Sequence, residues 1–322
     1  MKEQELDVIS ISGSTSPAAA DSPSTPNSKP QQSINPLDAL RNSQTADWEP
    51  VDLPSLGVYY DSWETGMVQV KPMGIEAEKA FANRRKLANG SSVSNMLDEC
   101  VILQNGMSTD ELLIGDRTFL FYYIRGLTFG ADYEFITTCK YCDHKFTAIY
   151  DMSELWSTRK APMIDPQTGE YLQEPFRLVL PDLSERLGVD INIGLRLLRH
   201  YDIANISKSI NTRFGEVRAH NRGMTKNPAD VPIDPADQIS QNLKMVITDV
   251  AGDDSEEAKD LLLSRITSVD TGAIRDFLKD ITPGIDVMVE IPCPECGEVS
   301  VIELPITDSY FRKVSRKPGT RQ

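Results

Sequence analysis

The cysteines constrain this chain more than any other feature. Four of its five fall in two CxxC pairs, "CKYC" at 139 to 142 and "CPEC" at 293 to 296, with about 150 residues between them. Two residues between sulfurs let one tight turn aim both thiolates at a single point, and four thiolates close a tetrahedral zinc shell at about 2.3 Å. Strand-like sequence enters and leaves each pair: "DYEFITT" and "HKFTAIY" around the first, "DVMVEIP" and "EVSVIEL" around the second. Alternating apolar residues on both sides of a CxxC place it at the tip of a hairpin. Gly297 follows the second pair and supplies the positive φ that such a tip often requires. Asp143 holds the matching position after the first pair, and aspartate tolerates that conformation better than most side chains. The expected unit is a zinc ribbon in which Cys139, Cys142, Cys293 and Cys296 hold one structural Zn2+. Separate surface thiols or a redox pair are the alternatives.

Four cysteine ligands leave no open position for water or substrate, so catalytic zinc is not expected. His144, beside Cys142, reads as an exposed strand residue instead of a ligand, and His200 and His220 have no partner at ligand spacing. No GxSxG, HExxH, P-loop or paired-glycine nucleotide motif occurs; Gly126 and Gly130 are wrongly spaced and no Lys-Ser/Thr follows them. The reading is therefore not an enzyme. Cys100 falls on the apolar face of "SSVSNMLDECVI", where Val93, Met96, Leu97, Cys100 and Val101 follow helical spacing, and reads as a buried bystander.

A formal net charge of −15 repels phosphate backbones and anionic lipid, so neither nucleic acid nor membrane is the expected partner. No apolar run reaches membrane-spanning length and no basic-then-apolar leader opens the chain, which points to the cytoplasm. There, CxxC pairs favour metal over disulfide.

The fold class expected is α+β, mostly helical, with the ribbon's two β-hairpins separated by a long helical insertion. Residues 1–47, rich in Ser, Pro, Gln and Asn, read as a disordered tail in which "LDVISIS" reads as part of an unused polar terminus, a short docking strand being the alternative. A mainly helical region follows at 48–135, starting with strand-like sequence near Trp48; it includes "GIEAEKAFANRRKLANG", a helix stopped by Gly90, and a core helix in "STDELLIGDRTFLFYYIRGLTFG" opened by a Ser108–Glu111 capping box. The ribbon takes 136–150 and 285–311, the insertion 151–284, and 312–322 form a basic tail. Within the insertion "EPFRLVLPD" reads as a strand and "HNRGMTKNPADVPIDP" as a loop. Ile239, Leu243, Val246, Ile247 and Val250 form one helical stripe, and Asp270 caps a helix whose Ile274, Phe277, Leu278 and Ile281 face inward.

Taken in order, "LPSLGVYY", "VKPMGIEAEKAFANR", "SVSNMLDECVI", "LLIGDRTFLFYYIRGLTFG", "CKYC", "FRLVLPD", "TPGIDVMVEIPCPECG" and "LPITDSYFR" resemble the bacteriophage T4-type baseplate hub assembly proteins of contractile-tailed phages, over roughly residues 50 to 312. The resemblance implies a role in building the baseplate hub, as a component or as an assembly chaperone, with other phage hub and tail proteins as partners. It places the family's cysteine pattern on Cys139, Cys142, Cys293 and Cys296. Its aromatic ending falls on Tyr310 and Phe311, where family members often carry two phenylalanines. These two aromatics, with any exposed part of "LFYYIRGLTF", are the expected partner-binding residues. The competing reading from another class is a zinc-ribbon nucleic-acid-binding or transcription-related factor, against which the acidity stands.

Overall fold

Chain order begins with a short antiparallel meander. Strands β1 (Glu49–Asp52), β2 (Met67–Val70) and β3 (Val101–Ile102) lie side by side in that order, with Val51 opposite Val68 and Val70 opposite Val101. The computed structural model describes residues 48–82, 91–203, 205 and 235–311. The expectations for the 1–47 tail and its "LDVISIS", the stop at Gly90, "HNRGMTKNPADVPIDP" with His220, and the basic tail lie outside the described residues. All the described residues belong to one compact unit within 45–322.

Helices α1 (Ile75–Ala82) and α2 (Ser91–Cys100) lie between β2 and β3 in sequence. Met96, Leu97 and Cys100 of α2 are fully buried, on the face that helical spacing predicts. The helix ends one residue earlier than that spacing implies, because Val101 already belongs to β3, where its partner is Val70. Helix α3 (Ile114–Phe129) is the central element, with Phe119, Leu120 and Ile124 fully buried. It stops at Gly130, whose φ of 89° no β-carbon would favour and whose N–H donates to the Gly126 carbonyl at 2.8 Å. The Ser108–Glu111 capping box is present but starts a single 3-10 turn, Thr109–Glu111. Helix α3 begins later, after Leu113, without a side-chain cap.

Hairpin β4 (Asp132–Thr138) and β5 (Lys145–Asp151) follows directly, and hairpin β9 (Met288–Pro292) and β10 (Val299–Glu303) comes near the end, each a separate two-stranded antiparallel sheet. Between them the insertion is helical as expected: α4 (Glu154–Ser157), α5 (Pro181–Leu187), α6 (Pro235–Val246), α7 (Glu256–Arg265) and α8 (Ser268–Ile281). It also carries a three-stranded antiparallel sheet, β6 (Phe176–Val179), β7 (Asn192–Leu195) and β8 (Ile247–Val250), in that order. The expected stripe of Leu243, Val246, Ile247 and Val250 therefore divides: α6 passes without a turn into β8 at Ile247, and Val250 pairs with Ile193. Ile239 lies outside the described side chains. At α8 the N-cap is Thr267, and Asp270 is the third-position member of a reciprocal capping box instead of the cap itself. Its other oxygen accepts from the backbone N–H of Asp182 and Leu183 at the start of α5, so one buried carboxylate starts two helices. Ile274 and Ile281 face the core, with Phe277 and Leu278 partly buried against it.

Among the described residues no helix is long and apolar enough to cross a membrane.

Candidate metal centre

The two CxxC turns are built alike. In the first, Cys139 N–H donates to the His144 carbonyl at 2.9 Å and Asp143 N–H returns to the Cys139 carbonyl at 3.1 Å. In the second, Cys293 N–H donates to the Glu298 carbonyl at 2.9 Å and Gly297 N–H returns to the Cys293 carbonyl at 2.9 Å. The residue four after each leading cysteine has positive φ, 57° at Asp143 and 77° at Gly297. Identical offsets close both loops, and that closure turns each pair of sulfurs to the same side. The leading cysteines, Cys139 and Cys293, are buried, while Cys142 and Cys296 reach the surface.

All four sulfurs lie within 4.8 Å of one another, and they are the one group of His, Cys, Asp or Glu side chains among the described residues placed to hold a metal ion. Cys139 Sγ is 3.7 Å from Cys296 Sγ, and Cys142 Sγ is 3.7 Å from Cys293 Sγ. A tetrahedron with metal–sulfur bonds of about 2.3 Å has edges of roughly 3.8 Å, so these two contacts, both between different hairpins, have the length the coordination sphere demands. The donor set is four soft thiols, the chemistry that suits zinc. Crowding also splits the acidities. A backbone N–H donated by Tyr141 leads the effects that hold the Cys139 thiol down to about 6. For Cys142 a backbone hydrogen bond at His144 acts to lower the pKa, but desolvation and the three neighbouring thiols push it up to about 12. Four acids so close do not all ionise without a cation among them, and a bound dication supplies that charge.

His144 is partly buried and stacks on Phe146 with ring centroids 6.0 Å apart; its imidazole is not in the cluster. His200 Nε2 lies 3.7 Å from Asp110 and is not in the cluster, and burial leads the effects that lower its pKa. Cys100 stays apart in α2, with burial raising its thiol to about 11.

Away from the cysteines the two hairpins are tied by an aromatic and carbonyl network. The Tyr133 hydroxyl, at the start of β4, donates to the Pro305 carbonyl at 2.6 Å, and the Tyr122 hydroxyl reaches the Leu304 carbonyl at 3.3 Å. Fully buried Arg125 donates to the carbonyls of Gly130, Asp132 and Tyr310, and its guanidinium lies 5.1 Å from the Tyr133 ring centroid. Tyr310 is 0 % exposed and stacks on Phe121 at 5.0 Å, while Phe311, partly buried, stacks on Phe81 at 4.0 Å. The aromatic ending is thus turned inward, and Tyr310 in this position anchors the chain's return to α3. The apolar run of "LFYYIRGLTF" is likewise largely core.

Sequence reasoning missed the buried charges of α3. Asp116 and Arg125 are fully enclosed; besides the nearby Gly130 and Asp132 carbonyls that Arg125 meets, their partners Ser55, Tyr60 and Tyr310 stand 56 to 185 residues away, and no local spacing announces those.

Residues 58–312 match the family model described as T4 bacteriophage base plate protein. No curated protein and no solved structure matches the chain. The match begins in the loop after β1, takes in both hairpins and the insertion, and ends one residue past the Tyr310–Phe311 anchor. The chain belongs to the T4 bacteriophage base plate protein family.

Proposed function

We propose that this protein builds the hub of the phage tail baseplate, as a hub component or as an assembly chaperone, and acts through contacts with other hub and tail proteins in the host cytoplasm. Its role is structural, not enzymatic, and involves neither nucleic acid nor membrane. One Zn2+ on Cys139, Cys142, Cys293 and Cys296 fixes the shape that those partners read. The observation that carries this is the convergence of four thiols, from segments about 150 residues apart, within 4.8 Å in a chain of the base plate family. Four sulfurs complete a metal's shell and leave no position for chemistry. In the aromatic ending, the reading gives Phe311 the partner contact and Tyr310 the anchoring.

The test is a deletion of the gene with complementation. Phage lacking the protein are expected to make no complete tails, and the full chain co-expressed with the other tail proteins is expected to form a specific complex carrying about one zinc per chain. Normal tails in the deletion, or metal-free protein purified without chelators, would each refute the corresponding half.

A further inference from the structure

The β9–β10 hairpin leaves a row of apolar side chains on its water-facing side. Its two strands alternate, so one face packs on the core and the other meets water, and the outward face of such a sheet is ordinarily polar. Here the inward face holds Val289, Ile291 and the partly buried Ile302, but also Ser300, 6 % exposed, whose hydroxyl has no hydrogen-bond partner. The outward face holds Val299 at 44 %, Val301 at 46 % and Met288 at 49 % exposure. A slip of one residue in β10 would turn both valines inward and release the serine, but it would also turn Ile302 out and the Glu303 carboxylate in. The observed register, with Val301 opposite Glu290 and Glu303 opposite Met288, does the reverse. Burying an unpartnered hydroxyl costs free energy, and leaving two valines and a methionine in water forgoes the stabilisation their burial would give. Strands with apolar residues on both sides belong to sheets covered on both sides.

We propose that this outward face is the docking surface for an extended segment of another baseplate protein that carries lysine or arginine between apolar residues. The inference rests on the function proposed above. Charge selects the occupant: the exposed apolar side chains alternate across the strands with Glu290 and Glu303, and no cation stands on the outward positions of either strand. A second copy of this chain would bring the same carboxylates face to face, a like-charge arrangement that opposes pairing. A strand with basic residues over Glu290 and Glu303 and apolar ones over Val299, Val301 and Met288 satisfies both patterns, and main-chain pairing or face packing then holds it. The zinc clasp sits at the tip of this same hairpin, where Lys140 of the first turn donates to the Val301 carbonyl at 2.5 Å, so the metal holds the docking face in place.

The test co-expresses the tagged full chain with each of the other tail and baseplate proteins of its phage. Two double variants, Val299→Thr with Val301→Thr and Glu290→Lys with Glu303→Lys, are compared with Leu261→Thr, which removes an apolar residue 62 % exposed on α7. Both doubles are expected to lose the co-purified partner at least tenfold while zinc content and Tm stay at wild-type values, and the Leu261 variant is expected to keep it. The wild-type complex is expected to weaken with added salt. Undiminished capture by both doubles would overturn the surface while leaving the proposed function standing. A wild-type dimer that the valine variant dissociates would overturn the choice of occupant. Failure of the wild-type chain to capture any tail protein would refute the functional reading itself.

Discussion

Asp116 illustrates what a single residue contributes here. Its carboxyl is fully enclosed and accepts the Ser55 N–H at 2.9 Å and the Tyr60 hydroxyl at 2.5 Å. Burial raises its pKa above the ordinary value of 3.8, against the hydrogen bonds from Ser55 and Tyr60 and the more distant charge of Arg159. A carboxyl whose folded pKa is raised holds a proton that the unfolded chain has released. Its contribution to stability is therefore full below about pH 3.8 and is lost as pH rises through the folded pKa. The stability of wild type minus that of Asp116→Asn, from urea melts over a pH series that starts near 4, is expected to fall as pH rises and to level off only above the folded pKa; a rise with pH would contradict the assignment. The cysteines separate by the same kind of reasoning. Cys139→Ser or Cys293→Ser is expected to abolish metal binding, a contribution on the order of 10 kcal/mol in small zinc peptides, and to lower Tm sharply. Cys100→Ser, placing a hydroxyl near the Pro72 carbonyl where the sulfur now lies at 3.9 Å, is expected to cost about 1–3 kcal/mol and leave metal content unchanged. Metal analysis and thermal melts of the three variants check this; equal losses would mean that Cys100 is no bystander.

Between elements, close approach explains two sequence blocks that periodicity passes over. The start of α3, "IGDR", meets the "TPGI" turn before β9: a β-carbon built on Gly115 would stand 1.9 Å from the Pro283 carbonyl oxygen, and one on Gly284 would stand 3.2 Å from the Gly115 Cα. Backbone sits against backbone there, with nothing flexible to move aside. Gly115→Ala is expected to destabilise the protein by about 3 kcal/mol through overpacking. Gly272→Ala, inside α8 with nothing within 4 Å of the new carbon, is expected to stabilise it by about 0.5–1 kcal/mol. Denaturant melts decide, and the signs must differ. The hairpins were legible because a CxxC flanked by alternating strands, with Asp143 or Gly297 at positive φ, has few other ways to fold. The boundaries at Cys100–Val101 and Val246–Ile247 were not, because apolar, partly β-branched runs continue a helical stripe on paper while tertiary pairing draws the backbone into a strand. The Ser108–Glu111 box is legible as a motif but opens the 3-10 turn and not α3, since a capping box says where a turn begins and not how many turns follow. The inward turn of Tyr310 was invisible for a different reason: its neighbours Phe121, Tyr133 and Arg125 are close only once the chain has returned.

For the whole molecule, the segment between the two hairpins packs into the same core, and besides backbone contacts such as Gly115 against Pro283 two latches join its ends. One is the four-sulfur cluster at the hairpin tips. The other, built of Arg125, Tyr133 and Tyr122, grips the carbonyls that follow β10 and the anchor at Tyr310. Closing an excursion of about 150 residues costs chain entropy that grows only slowly with length, so the first latch to form bears most of that cost and the second closes a loop already formed. Either latch alone is then expected to keep β9–β10 docked, and the loss of both is expected to free it. The consequence is thermodynamic coupling. In a double-mutant cycle, Cys293→Ser combined with Arg125→Met is expected to destabilise the protein by about 1–3 kcal/mol more than the sum of the single changes, with amide exchange in β9 and β10 protected in each single variant and unprotected only in the double. Simple additivity would mean that the latches act on separate parts of the fold. The expected excess would mean that the metal and the buried arginine hold one and the same return of the chain, and with it the orientation of the surface that β9–β10 presents.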